Sequence, residues 1–169
     1  MITLLLATAL LAGGGAEAPP LSYDCDTAEG AFSQLKQVQP GPSYRITGRI
    51  SAHRLRQHDR WVPVATVRAD AADGTMEVAL QLVAPHRPDG PLDVFLVTRA
   101  GKSEPEQKLL GHAEIGGELP FELAVDRGKV RARIGSLNGD AKASLGSGAS
   151  VGVSCSTGEF LFNDLRLSR

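Results

Sequence analysis

The sequence predicts an all-β fold, an antiparallel two-sheet β-sandwich, on three observations. Short runs alternate apolar and polar residues with a period of two, the pattern of strands with one buried face. Gly, Pro, Asp or Asn bounds each run, and no stretch carries a helical apolar stripe over three turns. Short strands at regular spacing with turn signals between them indicate a sandwich.

The elements follow in order from Tyr44. "YRITGRISA" sets Tyr44, Ile46, Gly48 and Ile50 against Arg45, Thr47 and Arg49. "WVPVATVRA" places Val62, Val64 and Thr66 on one face and Trp61, Ala65 and Val67 on the other. "MEVALQLVA" alternates Met76, Val78, Leu80 and Leu82 with Glu77, Ala79 and Gln81, and "LDVFLVTRA" opposes Leu92, Val94 and Leu96 to Asp93, Phe95 and Val97. "FELAVDRGKVRARIG" reads as a hairpin, Phe121/Leu123/Val125 and Val130/Ala132/Ile134 flanking Asp126-Arg127-Gly128-Lys129, where Gly128 supplies the positive φ of a tight turn. Asn138-Gly139 is a second turn signal. "SVGVSCS" puts Val151, Val153 and Cys155 on one face, and the closing segment "STGEFLFNDLRLSR" is the last strand. Ahead of Tyr44, "AFSQLKQV" suits either a helical turn or a short strand.

Residues 2–12, "ITLLLATALLA", followed by "GGGAEA", have the shape of a secretory signal, an apolar run of about 7–15 residues before small residues. The run is shorter than the ~20 residues of a membrane span. The expected organisation is therefore a signal peptide over 1–18 and a single domain over 19–169, periplasmic or secreted, with no membrane span. No internal repeat, low-complexity tract or linker divides the domain. Loss of Glu17 with the leader takes the 19 acidic residues to 18, matching the 18 basic ones. Bulk attraction to nucleic acid needs a basic excess, so nucleic acid is not an expected partner. Cys25 and Cys155 are the two cysteines, and export makes a disulfide between them the natural expectation.

In the last strand, Phe160 and Phe162 are spaced by two, as are Leu165 and Leu167, but Phe162 and Leu165 are spaced by three. An extra residue at Asn163-Asp164, a β-bulge, keeps all four facing inward. "FNDLRL" closely resembles the closing strand, often F-D-N-V-R-L, of concanavalin A-like lectin/glucanase jelly rolls. "FELAVDRGKVRARI", "LNG" and "VGVSCSTGEFLF" follow in the order those domains show, so the resemblance covers residues 119–167. It implies a concanavalin A-like jelly roll, and an N-terminal segment running close to the final strands.

Glucanases of that fold carry paired carboxylates in an E-x-D-x-x-E run, because acid and nucleophile must lie about 5 Å apart. No such run occurs here. Glu114 and Glu118 are interrupted by Gly116-Gly117, and Glu104 and Glu106 flank Pro105 in a polar loop. His53, His58, His86 and His112 lack the carboxylate or cysteine spacing of a metal set, and neither metal nor cofactor is expected. The serines in "GSGAS" and "GSLNG" lack the context of a nucleophile elbow.

The densest polar cluster is "RISAHRLRQHDRW". Were it extended, Arg54, Arg56, His58 and Arg60 would share one side as a basic ridge leading to Trp61. As a ligand-contacting loop, Arg54, Arg56, Arg60 and Trp61 would offer guanidiniums to an acidic glycan or headgroup and an indole for stacking. As a solvated strand edge, the same charges would only discourage edge-to-edge aggregation. Aromatic residues make up 5% of the chain, which weighs against a lectin groove lined by several rings. The balance favours an exported, non-catalytic binding or envelope-associated accessory module whose partner is a glycan or an anionic envelope component. A lectin-like carbohydrate-binding module and a glycan-acting hydrolase of the glucanase-like fold are the alternatives.

Overall fold

The computed structural model describes residues 19–39, 41–56, 58–84 and 90–168. The leader expected over 1–18 and His86 lie outside the described residues. Among the described residues twelve strands follow one another without a helix: β1 (Leu21–Asp26), β2 (Phe32–Val38), β3 (Ser43–Leu55), β4 (Val64–Asp70), β5 (Met76–Val83), β6 (Leu92–Ala100), β7 (Glu106–Ala113), β8 (Leu119–Asp126), β9 (Lys129–Ile134), β10 (Leu137–Lys142), β11 (Ser150–Ser156) and β12 (Gly158–Ser168). They form two six-stranded sheets, both wholly antiparallel. Sheet I has the order β1-β12-β3-β8-β9-β10 and sheet II the order β2-β11-β4-β5-β6-β7. The expected two-sheet sandwich is thus the observed one. Among the described residues no helix is long and apolar enough to cross a membrane.

The core lies between the sheets, built from the inward phase of each alternation. Ile50, Leu123, Ile134, Phe160 and Phe162 come from sheet I, and Val67, Val78, Leu80, Leu82, Val94 and Val153 from sheet II. Burial of each such side chain contributes about 1.5–3 kcal/mol relative to exposure. Phe162 is their hub, stacked on Tyr23 with ring centroids 6.2 Å apart and meeting Phe121 edge-on at 6.5 Å.

The slipped alternation of β12 is resolved as a bulge. Asn163 pairs with Arg49 and Arg166 with Thr47, so Asp164 and Leu165 together face Gly48. Asp164 takes a left-handed φ of 52°. A Cβ at position 48 would stand 2.9 Å from both the Asn163 carbonyl and Phe121 Cζ, so only glycine leaves room for the doubled residue. Phe160, Phe162 and Leu165 are buried, while Leu167 is half-buried against the core. The β8–β9 hairpin closes as expected, Arg127 and Gly128 both having positive φ (46° and 86°).

Two expectations are corrected. Asn138-Gly139 is no turn but lies inside β10, paired with Arg133 and Ala132, and the chain reverses at Gly135-Ser136. Glycine is needed at 139 for packing: a Cβ there would come within 2.6 Å of Leu110 Cδ2 on the facing sheet. The strand expected over 61–69 starts only at Val64. Pro63 lacks the amide proton a ladder needs, and Trp61 stands in the preceding loop.

Cys25 on β1 and Cys155 on β11 are joined by a disulfide, Cα atoms 6.0 Å apart, linking the edge of sheet I to the interior of sheet II.

Candidate functional site

The basic cluster between β3 and β4 does not form one ridge. Extended structure ends at Leu55, and Arg56 turns back onto β1: its guanidinium pairs with Asp26 at 2.7 Å and donates to the Thr27 carbonyl at 2.7 Å. Only 17% of the Arg56 side chain is exposed, so it clamps the corner of the sandwich. Arg54 stays in β3, 66% exposed and 3.9 Å from Glu159. Arg60 is exposed, its backbone amide donating to His58 Nδ1. Trp61 is 58% exposed, with Gly30 beneath it: a Cβ on Gly30 would lie 3.3 Å from the indole Cδ1. The structure therefore keeps Arg54, Arg60 and Trp61 at the surface and takes Arg56 out of their company.

The connecting loop delivers Trp61 to the end of sheet II where β2 and β4 begin and β11 ends. The outer face of that sheet carries several buried side chains. Gly152 and Ser154 on β11, Thr66 on β4, Ala79 on β5 and Val97 on β6 all point away from the core, yet all are buried. Small side chains form the floor, and longer ones, Lys36, Arg68, Gln81 and Phe95, occupy the neighbouring outward positions. Phe32, 56% exposed, ends this face on the Trp61 side.

A chain of alternating charges crosses the other end of the face. Asp70 accepts from Lys36 Nζ at 3.0 Å and from Arg68 Nη2 at 2.6 Å; Arg68 also approaches Glu77 at 3.6 Å, and Glu77 approaches Arg99 at 3.4 Å. Burial pushes the Asp70 carboxyl up, but the hydrogen bonds from Arg68 and Lys36 outweigh it and hold the group below the usual carboxylate range. Asp70 and Glu77 are direct cross-strand partners with guanidinium between them. Asp70 is thereby fixed as an anion, not as an acid able to donate a proton. The outward phase of Arg68, Asp70, Glu77 and Arg99 is legible in the sequence alternation. Their meeting across β2, β4, β5 and β6 is not, because it depends on strand order and register.

Two of the remaining candidates are accounted for by local contacts. Glu118, after the turn containing Gly116-Gly117, accepts from Asn163 and Arg49, and these bonds hold its carboxyl below the usual range. His112 Nδ1 lies 2.8 Å from Asp93 Oδ1 on the outer face of sheet II. Among the described residues no group of three or more His, Cys, Asp or Glu side chains could hold a metal.

Two packed antiparallel sheets of six strands define a jelly-roll β-sandwich. No family model matches the chain, and no curated protein matches it by sequence. Solved structures do resemble it. The carbohydrate-binding module CBM66 from Bacillus subtilis matches with a TM-score of 0.53 at 12% identity, covering 90% of this chain and 94% of that one. An endo-acting O-glycanase of the human gut microbiota matches with a TM-score of 0.63 at 6% identity, over 88% of this chain and 79% of that one. Alginate lyase A1-II', of polysaccharide lyase family 7, matches with a TM-score of 0.57 at 13% identity, over 88% and 79%. At these identities the likeness is one of fold, and it agrees with the jelly roll that "FNDLRL" implied.

Proposed function

We propose that the chain is an exported, non-catalytic glycan-binding module whose ligand docks at the Trp61 end of sheet II. The observation that carries this reading is the exposed indole at the end of a sheet face that presents polar side chains. Sugar rings present C–H surfaces that stack on an aromatic plane, and their hydroxyls exchange hydrogen bonds with groups such as Gln34, Gln81 and Ser156. Arg60, exposed and next to Trp61 in sequence, adds a guanidinium donor for sugar hydroxyls. The fold's neighbours, a carbohydrate-binding module and two glycan-acting enzymes, support the choice of glycan as ligand.

The electrostatics of the charged end of the face support binding without hydrolysis. Retaining glycosidases need one carboxyl protonated and a second ionised about 5–5.5 Å away. Here Asp70 is held ionised, and Glu77 lies between two guanidiniums.

Trp61 is the single tryptophan of the chain, so its fluorescence reports this site alone. Titration with a panel of soluble polysaccharides is expected to quench it for at least one glycan, with no release of reducing ends and no unsaturated product. Trp61→Ala is expected to weaken that binding by about tenfold, ~1.4 kcal/mol. A panel that leaves the emission unmoved overturns the reading; release of reducing ends shifts it to a hydrolase. For export, mass spectrometry of secreted or periplasmic material should find a chain starting near Glu17 or Pro19, whereas an intact Met1 chain in the cytoplasm refutes it.

A further inference from the structure

The outer face of sheet I is built differently. Along β9, Lys129, Arg131 and Arg133 alternate outward with the buried Val130, Ala132 and Ile134. Lys142 on β10 and Arg45 on β3 extend this cationic field to both sides. Lys129 and Lys142 are direct partners in the β9–β10 register, which sets two ammonium groups opposite each other on neighbouring strands. Like charges so placed destabilise a sheet. Among the described residues neither lysine has an ion-pair partner, and nor has Arg133. Arg45 and Arg131 face each other across Ala124 of β8, whose methyl leaves a notch between them. Their carboxylate neighbours, Glu122 at 3.6 Å and Asp140 at 3.8 Å, stand beyond hydrogen-bond distance, so the guanidinium donors remain available. Arg45, Lys129, Arg131, Asp140 and Lys142 border a depression of about 570 Å³ that also takes in Asp126, with Arg133 and Glu122 outside it on the same face.

We propose that this depression is a second binding surface, for an acidic polysaccharide chain that carries carboxylates as well as hydroxyls. Asp126 stands opposite Lys129 on β8 without forming an ion pair with it, so an anion lying between Lys129 and Lys142 lowers the repulsion that remains, and the forks of Arg45 and Arg131 match carboxylate geometry. The mixture of charges selects the class of anion. Glu122, Asp126 and Asp140 sit among the five cations. They repel a uniformly charged phosphate surface but accept hydrogen bonds from sugar hydroxyls. None of the exposed large apolar side chains of the described residues lies on β3, β8, β9 or β10, so this face offers nothing to insert into a bilayer. The depression is on the opposite sheet from Trp61 and at the opposite end of β3, which makes it independent of the site proposed above.

The test uses the full chain and polygalacturonate as probe, in a binding titration at low and moderate salt, beside dextran and phosphatidylglycerol vesicles. Polygalacturonate is expected to bind and to weaken as salt rises, while dextran and the vesicles do not bind. Lys129→Gln/Lys142→Gln should lose at least tenfold in affinity for it, and Trp61→Ala should retain wild-type affinity. Without polymer, Lys129→Gln/Lys142→Gln should melt at or above the wild type, because it removes the repulsion; that measurement also establishes that the variant folds. Equal affinity of wild type and the double glutamine variant overturns the proposal. So does loss of polygalacturonate binding in Trp61→Ala, or binding to vesicles in its place.

Discussion

At Asp70, a single carboxylate joins strands that are not sequence neighbours. It bonds Lys36 on β2 and Arg68 on its own strand, and Ser150 on β11 donates to it at 3.4 Å. Its folded pKa lies below the ordinary value of about 4 because the bonds from Arg68 and Lys36 exceed the opposing effect of burial. The linkage has a definite sign. The contribution to stability is complete above about pH 4 and is lost as pH falls through the lower folded value. Asp70→Asn is therefore expected to cost about 1–3 kcal/mol at neutral pH, the difference from wild type shrinking below about pH 4. Urea denaturation across pH 2–7 measures both; a constant difference over that range refutes the assignment. Arg56 shows what a residue-level reading cannot supply. Its charge and spacing fit a ridge, and its actual role is fixed by Asp26 and Thr27, about thirty residues earlier.

Strands differ in how plainly they announce themselves. The eight interior strands, β3, β4, β5, β6, β8, β9, β11 and β12, each bury one face between paired neighbours, and each alternates visibly in the sequence. The four that went undetected or undecided, β1, β2, β7 and β10, are the four sheet edges. An edge strand has a neighbour on one side only, and polar residues intrude on its inward phase, as Ser33 and Gln37 do in β2. Loss of alternation there is a physical property of edges, which charged and irregular patterns also protect from pairing with other chains. The bulge in β12 was legible because its four apolar residues are all drawn to the core, whereas the glycine accommodating it, Gly48, lies on another strand. Gly48→Ala should drive the added methyl into the Asn163 carbonyl and the Phe121 ring. The expected cost is about 1–3 kcal/mol, as for other overpacked sites. A lowered denaturation midpoint with unchanged m-value would show it; a wild-type midpoint would mean that the bulge does not depend on glycine.

Across the whole molecule, the disulfide and the Trp61 loop occupy the same corner. Cys25 sits on edge strand β1, which sheet I holds only through β12, and the bond to Cys155 ties that edge to the interior of sheet II. Around it, Thr27 Oγ1 donates to the Gly158 carbonyl at 3.1 Å, Arg56 clamps Thr27, and the Gly30 amide donates to Thr157 Oγ1 at 3.2 Å. Gly30 in turn carries the indole, so the bridge steadies the platform beneath Trp61. The closed loop spans 130 positions, for which chain entropy gives on the order of 4–5 kcal/mol less any strain. Both cysteines are fully buried, which makes replacement a cleaner test than reduction. Cys25→Ala/Cys155→Ala is expected to lower the urea midpoint substantially and to raise the m-value, because the unconstrained unfolded chain exposes more surface. With the corner loosened, Trp61 emission in the folded variant should move toward that of a solvated indole, and glycan affinity should fall through ordering lost before binding. If the midpoint falls while Trp61 emission and affinity hold at wild-type values, the bridge stabilises the sandwich without organising the site.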